Sequence, residues 1–169
     1  MRPALEFFEQ TVPYYISLIP TYKIVLIERV VEPYFKSVNI SRDPAFWTSG
    51  QQRRSISNHQ ELADRLSKEF GDDFKNISLE RTSIYYQYHL FRSADIVIAQ
   101  HGGGLSNIVF MREEAHVIEF SPPWGRDSNH FLNLAAFKGV GYTRLLQDAD
   151  HGPVDISETV QTIQRLQMK

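Results

Sequence analysis

The sequence predicts an α/β fold, a mostly parallel sheet with helices on both faces. Short β-branched runs such as Ile96-Val97-Ile98 alternate with segments whose apolar residues recur at helical spacing. That alternation runs from Tyr22 almost to the C-terminus, as successive βαβ units require. Three consecutive glycines, Gly102 to Gly104, separate one such strand from an apolar helical stretch, the kind of junction at which a backbone turns sharply or approaches a ligand.

The elements follow in order along the chain. Residues 1–21, broken by Pro3, Pro13 and Pro20, read as a linker or the tail of a preceding domain, and residues 22–169 as one domain. Lys23 to Ile27 is a strand candidate, and Tyr34 to Ile40 a second one ending at the turn signal Ser41-Arg42-Asp43-Pro44. After a polar loop, Ala45 to Ser57, Asn58 with Glu61 three positions on has the capping-box arrangement. Leu62, Leu66 and Phe70 then form an apolar stripe. Gly71-Asp72-Asp73 stops that helix, Phe74 to Leu79 reads as a strand, and Thr82 to Arg92 as an aromatic helix. Strand, helix, strand and helix continue over Asp95 to Ala99, Leu105 to Met111, His116 to Phe120 and Asn129 to Lys138. A last strand, Tyr142 to Leu146, precedes a helix from Asp155 to Gln167 with Val160, Ile163 and Leu166 on one face.

Bulk properties exclude several classes. A chain of 169 residues has room for one well-cored domain and hardly for two. A net charge of −2 argues against a broad nucleic-acid-binding field. The absence of cysteine removes a disulfide framework and a thiolate metal site, and no apolar stretch has transmembrane length. The histidines share no ligand-like spacing, so no metal is expected. The sequon at Asn39 falls in a predicted strand and reads as a chance occurrence, and a second lies at Asn76.

Ligands of open parallel sheets bind beyond the carboxyl ends of the strands. Arg42, His101 with Gly102 to Gly104, and Glu119 all follow from strand ends, and Arg53 and Arg54 lie on the loop before Asn58. Guanidinium groups suit phosphate oxygens, and a glycine turn opening a helix offers bare N–H groups to an anion. A strand-end carboxylate can accept from ribose hydroxyls. Each residue taken singly is equally at home as a solvated strand end or a tight connection; their gathering on one edge points to a nucleotide diphosphate. His-Gly-Gly-Gly also fits an oxyanion-hole motif, but the Gly-x-Ser-x-Gly elbow of such hydrolases is absent.

Ala94 to Asn107, with Val117-Ile118-Glu119-Phe120-Ser121-Pro122 downstream, resembles glycosyltransferase family 61. Ile40-Ser41-Arg42 and Arg54-Ser55-Ile56-Ser57-Asn58-His59-Gln60-Glu61 look like its arginine strand end and its R-x-I-x-N-x-x-E segment, and Ser83 and Gln87 fit its S-F-x-E-Q helix start. Gly103 stands where the family usually has alanine, and Ile84 and Tyr86 replace a phenylalanine and a glutamate.

The resemblance implies an inverting, metal-independent transferase of secretory-pathway type, with this chain as the Rossmann-like, donor-binding half of a GT-B architecture. It implies a UDP-sugar donor, carrying xylose, arabinose or GlcNAc, and no other cofactor. It implies a glycan or glycoprotein acceptor and an N-terminal acceptor domain. His101 would be catalytic; Arg42, Arg54, Gly102, Gly103, Gly104 and Leu105 would bind the donor with His101, and Glu119 the ribose. The alternative is a truncated module that binds a nucleotide or a partner and catalyses nothing.

Overall fold

A computed structural model describes residues 6, 10, 18–29, 54–80 and 82–168. Five strands, β1 (Ile24–Glu28), β2 (Phe74–Ser78), β3 (Ile96–Gln100), β4 (His116–Ser121) and β5 (Gly141–Leu146), form one sheet in the order β2-β1-β3-β4-β5. Every pairing is parallel. The helices α1 (His59–Phe70), α2 (Ile84–Ser93) and α3 (His130–Lys138), with a 3₁₀ helix at Gly103–Phe110 between β3 and β4, make the crossovers, and α4 (Ile156–Gln167) follows β5. The α/β architecture expected from the alternating pattern is therefore the one observed.

Alternation along the strands divides the core. Val25, Ile27, Val97, Ala99 and Val117 pack against α2, the 3₁₀ helix and α3. Ile24, Leu26, Ile96, Ile98 and Ile118 face the opposite way, onto Leu62 and Leu66 of α1 and Val160 and Ile163 of α4. A strand buried on both faces has no need of polar positions, which is why β1 and β3 read as unbroken apolar runs.

Two local expectations are corrected. The stretch predicted as a helix from Leu105 is wound as a 3₁₀ helix that opens at Gly103. Three residues per turn put Leu105, Ile108 and Met111 on one side, and all three are completely buried. Asn58 precedes α1 but makes no side-chain cap. Its amide instead donates to the Val154 carbonyl at 3.0 Å and accepts from the Val154 N–H at 2.9 Å, tying α1 to the segment that leads into α4. That reciprocal pair satisfies two backbone groups, where a cap would satisfy one.

The predicted strand Tyr34 to Ile40, Arg42, Arg53 and most of the N-terminal 21 residues lie outside the described residues.

Candidate functional site

The strand order reverses direction between β1 and β3, so the crevice of a doubly wound sheet falls beyond the carboxyl ends of these two strands. A cleft of about 480 Å³ lies there, lined by Glu28, Arg29, Gln87, Gly103, Gly104 and Asn107 among others. Its size is that of a small-ligand pocket. A larger hollow of about 570 Å³ occupies the opposite, amino-terminal edge. There Arg112 is bonded to Asp95 and Lys23 to Asp73. These charges are already paired, and the glycine turn is at the other edge, so the smaller cleft is the candidate site.

Arg29, directly after β1, was not among the residues singled out from the sequence. Its Nη1–H donates to the His101 carbonyl at 3.2 Å. The guanidinium lies so close to Gly102 that a Cβ there would stand 2.0 Å from Nη1. An alanine at position 102 would therefore displace the Arg29 guanidinium. Leu105 N–H closes the first turn onto the Gly102 carbonyl at 2.9 Å, which leaves the Gly103 and Gly104 N–H groups outside the helical ladder. Leu105 itself is spent on the turn and on the core, where it is fully buried. Gln87 of α2 accepts from Asn107 Nδ2 at 2.8 Å and so braces the far wall of the cleft.

Gly103 has nothing within 4 Å of an added Cβ. Gly103→Ala should leave the midpoint of urea unfolding unchanged or raise it slightly, by under about 1 kcal/mol, because alanine restricts the unfolded chain.

His101 belongs to a second group beside the cleft. Its Nδ1–H donates to Glu119 Oε1, and Tyr142 O–H donates to Glu119 Oε2. A carboxylate can only accept, which fixes the proton of the neutral ring on Nδ1 and leaves Nε2 with a lone pair. Glu119 is 1% exposed. It lies inside β4, which runs on to Ser121, and alternation turns its side chain under Phe131 of α3. Both oxygens thus face protein donors, unlike the open strand-end carboxylate expected for a ribose contact.

Arg144 joins this group from β5. Its Nε–H donates to Tyr142 Oη at 3.2 Å, and its Nη groups donate to the Arg126 and Ser128 carbonyls of the loop after β4. That loop carries Trp124, whose ring is 5.1 Å from His101 and whose Nε1–H donates to Asp150 at 2.7 Å. Arg54 lies over the same indole at 4.7 Å and is buried, not a mobile surface residue. Sequence reasoning passed over Trp124, Tyr142 and Arg144. The available signal was two polar side chains spaced by two on one face of β5.

Burial, and next the bond to Glu119, push the Tyr142 hydroxyl up from 10.0 to about 12. The folded chain then holds this proton where the unfolded chain has released it, so stability falls as pH rises from 10 to 12. Tyr142→Phe should show a shallower loss across that interval in urea titrations.

Among the described residues no three His, Asp or Glu side chains converge as metal ligands do, and no helix is long and apolar enough to cross a membrane. The family model described as Glycosyltransferase 61 matches residues 6–118. The chain is also similar to the EGF domain-specific O-linked N-acetylglucosamine transferase of Drosophila melanogaster, at 32% identity over 89 residues. That match covers 53% of this chain and 17% of the fly protein.

Proposed function

Since the chain belongs to glycosyltransferase family 61, we propose that its sheet edge binds a nucleotide-sugar donor and supports inverting transfer of the sugar to a hydroxyl of a glycan or glycoprotein. The observation that carries this reading is the meeting of Arg29 with the open Gly103 and Gly104 N–H groups in one cleft at the β1–β3 switch point. A guanidinium and aligned amides hold a diphosphate, and they hold it more strongly as charge builds on it during departure. The resemblance assigns the same work to Arg42, and Arg29 and Arg54 add further positive charge. The charge is met by these groups, in keeping with a metal-independent reaction.

In the transfer, the acceptor oxygen forms the new bond to the anomeric carbon. The bond to the diphosphate breaks, and its electron pair goes to the phosphate oxygen. His101, its Nδ1–H held by the Glu119 carboxylate, takes up a solvent proton at Nε2 and gives it to that oxygen. The carboxylate fixes the orientation of the ring, as the acidic member of a catalytic triad does. The base that takes the acceptor proton belongs to the acceptor side, which in a two-domain GT-B arrangement is the other domain. The fly relative makes UDP-GlcNAc and an EGF domain the first donor and acceptor to try.

Calorimetry with UDP tests the reading, with a Kd on the order of micromolar expected. A folded chain that binds no UDP overturns it. UDP binding without transfer, restored by no added acceptor domain, would favour the non-catalytic module.

A further inference from the structure

The ends of β1 and β3 bring a different chemistry to the cleft. Glu28 and Gln100 each lie one residue beyond the Ile27–Ala99 pair of β1 and β3. Both line the 480 Å³ cleft, and both also line a recess of about 30 Å³ that they share with Arg29, Ser55, Ile56 and His59. Gln100 is 3% exposed. Its Nε2–H groups are committed to Gln147 Oε1 at 2.7 Å and the Ser55 carbonyl at 3.1 Å. Its Oε1 is buried and accepts from nothing. The half-buried Glu28 carboxylate likewise accepts no hydrogen bond and forms no ion pair among the described residues.

Two acceptors without donors at the end of a sheet call for a ligand rich in O–H groups. A buried acceptor left unmet costs about 1–3 kcal/mol, and the great majority in folded proteins are met. The diphosphate cannot meet these, because its ionised oxygens only accept hydrogen bonds. A hydroxyl can, and a recess of about 30 Å³ has room for one hydroxyl or one water.

We propose that Glu28 and Gln100 form the subsite for the transferred sugar, with one sugar hydroxyl in the recess donating to Gln100 Oε1 and a second donating to the Glu28 carboxylate. This rests on the nucleotide-sugar reading of the cleft. It gives the bound donor a direction: diphosphate on Arg29 and the glycine amides, sugar across the mouth of β1 and β3. A carboxylate beside the sugar also disfavours donors whose sugar is itself acidic.

The test is calorimetry on the 169-residue chain and its Glu28→Gln and Glu28→Ala variants, with UDP, UDP-GlcNAc and UDP-xylose as probes. Among the described residues neither substitution removes a partner from a protein group, so both variants keep the fold, which a thermal melt verifies. The ratio of UDP-sugar affinity to UDP affinity should drop about tenfold in both variants, the worth of one charge-assisted hydrogen bond. An unchanged ratio for both sugars overturns the subsite while leaving the nucleotide site standing. Wild-type chain that fails to bind UDP overturns the nucleotide reading itself, and the subsite with it.

Discussion

Replacing Arg29 with alanine weakens UDP binding by roughly tenfold to a hundredfold, the range expected when one or two charge-assisted hydrogen bonds to a diphosphate are lost. The guanidinium needs no rearrangement to serve, since it is already held against the His101 carbonyl and the bare backbone of Gly102. Gly102→Ala reproduces part of the loss from a distance, because the new methyl occupies the space of Nη1. Arg29→Lys retains the charge but not the planar fork, and recovers affinity only in part. Calorimetry on these three variants decides the matter: if all bind UDP like the wild type, the anion site is elsewhere.

The second large effect is on stability. Glu119→Ala strips the acceptor from two donors at once, His101 Nδ1–H and Tyr142 O–H, at a position with 1% exposure. Each stranded buried donor costs about 1–3 kcal/mol, so a loss of about 2–5 kcal/mol is expected from denaturant midpoints. Breaking the Arg112–Asp95 pair at the opposite edge, where both side chains are about half exposed, costs under about 1 kcal/mol. Similar losses for the two would mean that Glu119 is not held as described.

The strands and their faces were legible because burial on both sides of a parallel sheet writes itself as unbroken apolar runs, as in Ile24 to Ile27 and Ile96 to Ala99. The glycine turn was legible because three glycines stand in succession at a strand end, although only Gly102 is closely approached there and Gly103 has open space around it. Arg29 escaped notice because no turn signal follows Ile27, so the strand end that gives the arginine its meaning had no visible boundary. The turn signal after Tyr34 to Ile40 drew the attention to Arg42, which lies outside the described residues. Glu119 was read as the end of its strand, but pairing with β5 carries that strand one residue beyond Phe120, to Ser121, and the carboxylate lies inside the sheet. The meeting of His101, Tyr142 and Arg144 could not be seen along the chain, since it depends on β3, β4 and β5 lying side by side.

The sheet order has a consequence for how the molecule comes into being. β1 lies between β2 and β3, both of which are translated after it. When the first strand leaves the ribosome, neither of its neighbours has been made. It waits as an unpaired apolar segment while a long stretch of nascent chain is added. Parallel pairings of this kind close slowly, and the waiting strand is the part of the polypeptide most in need of a chaperone.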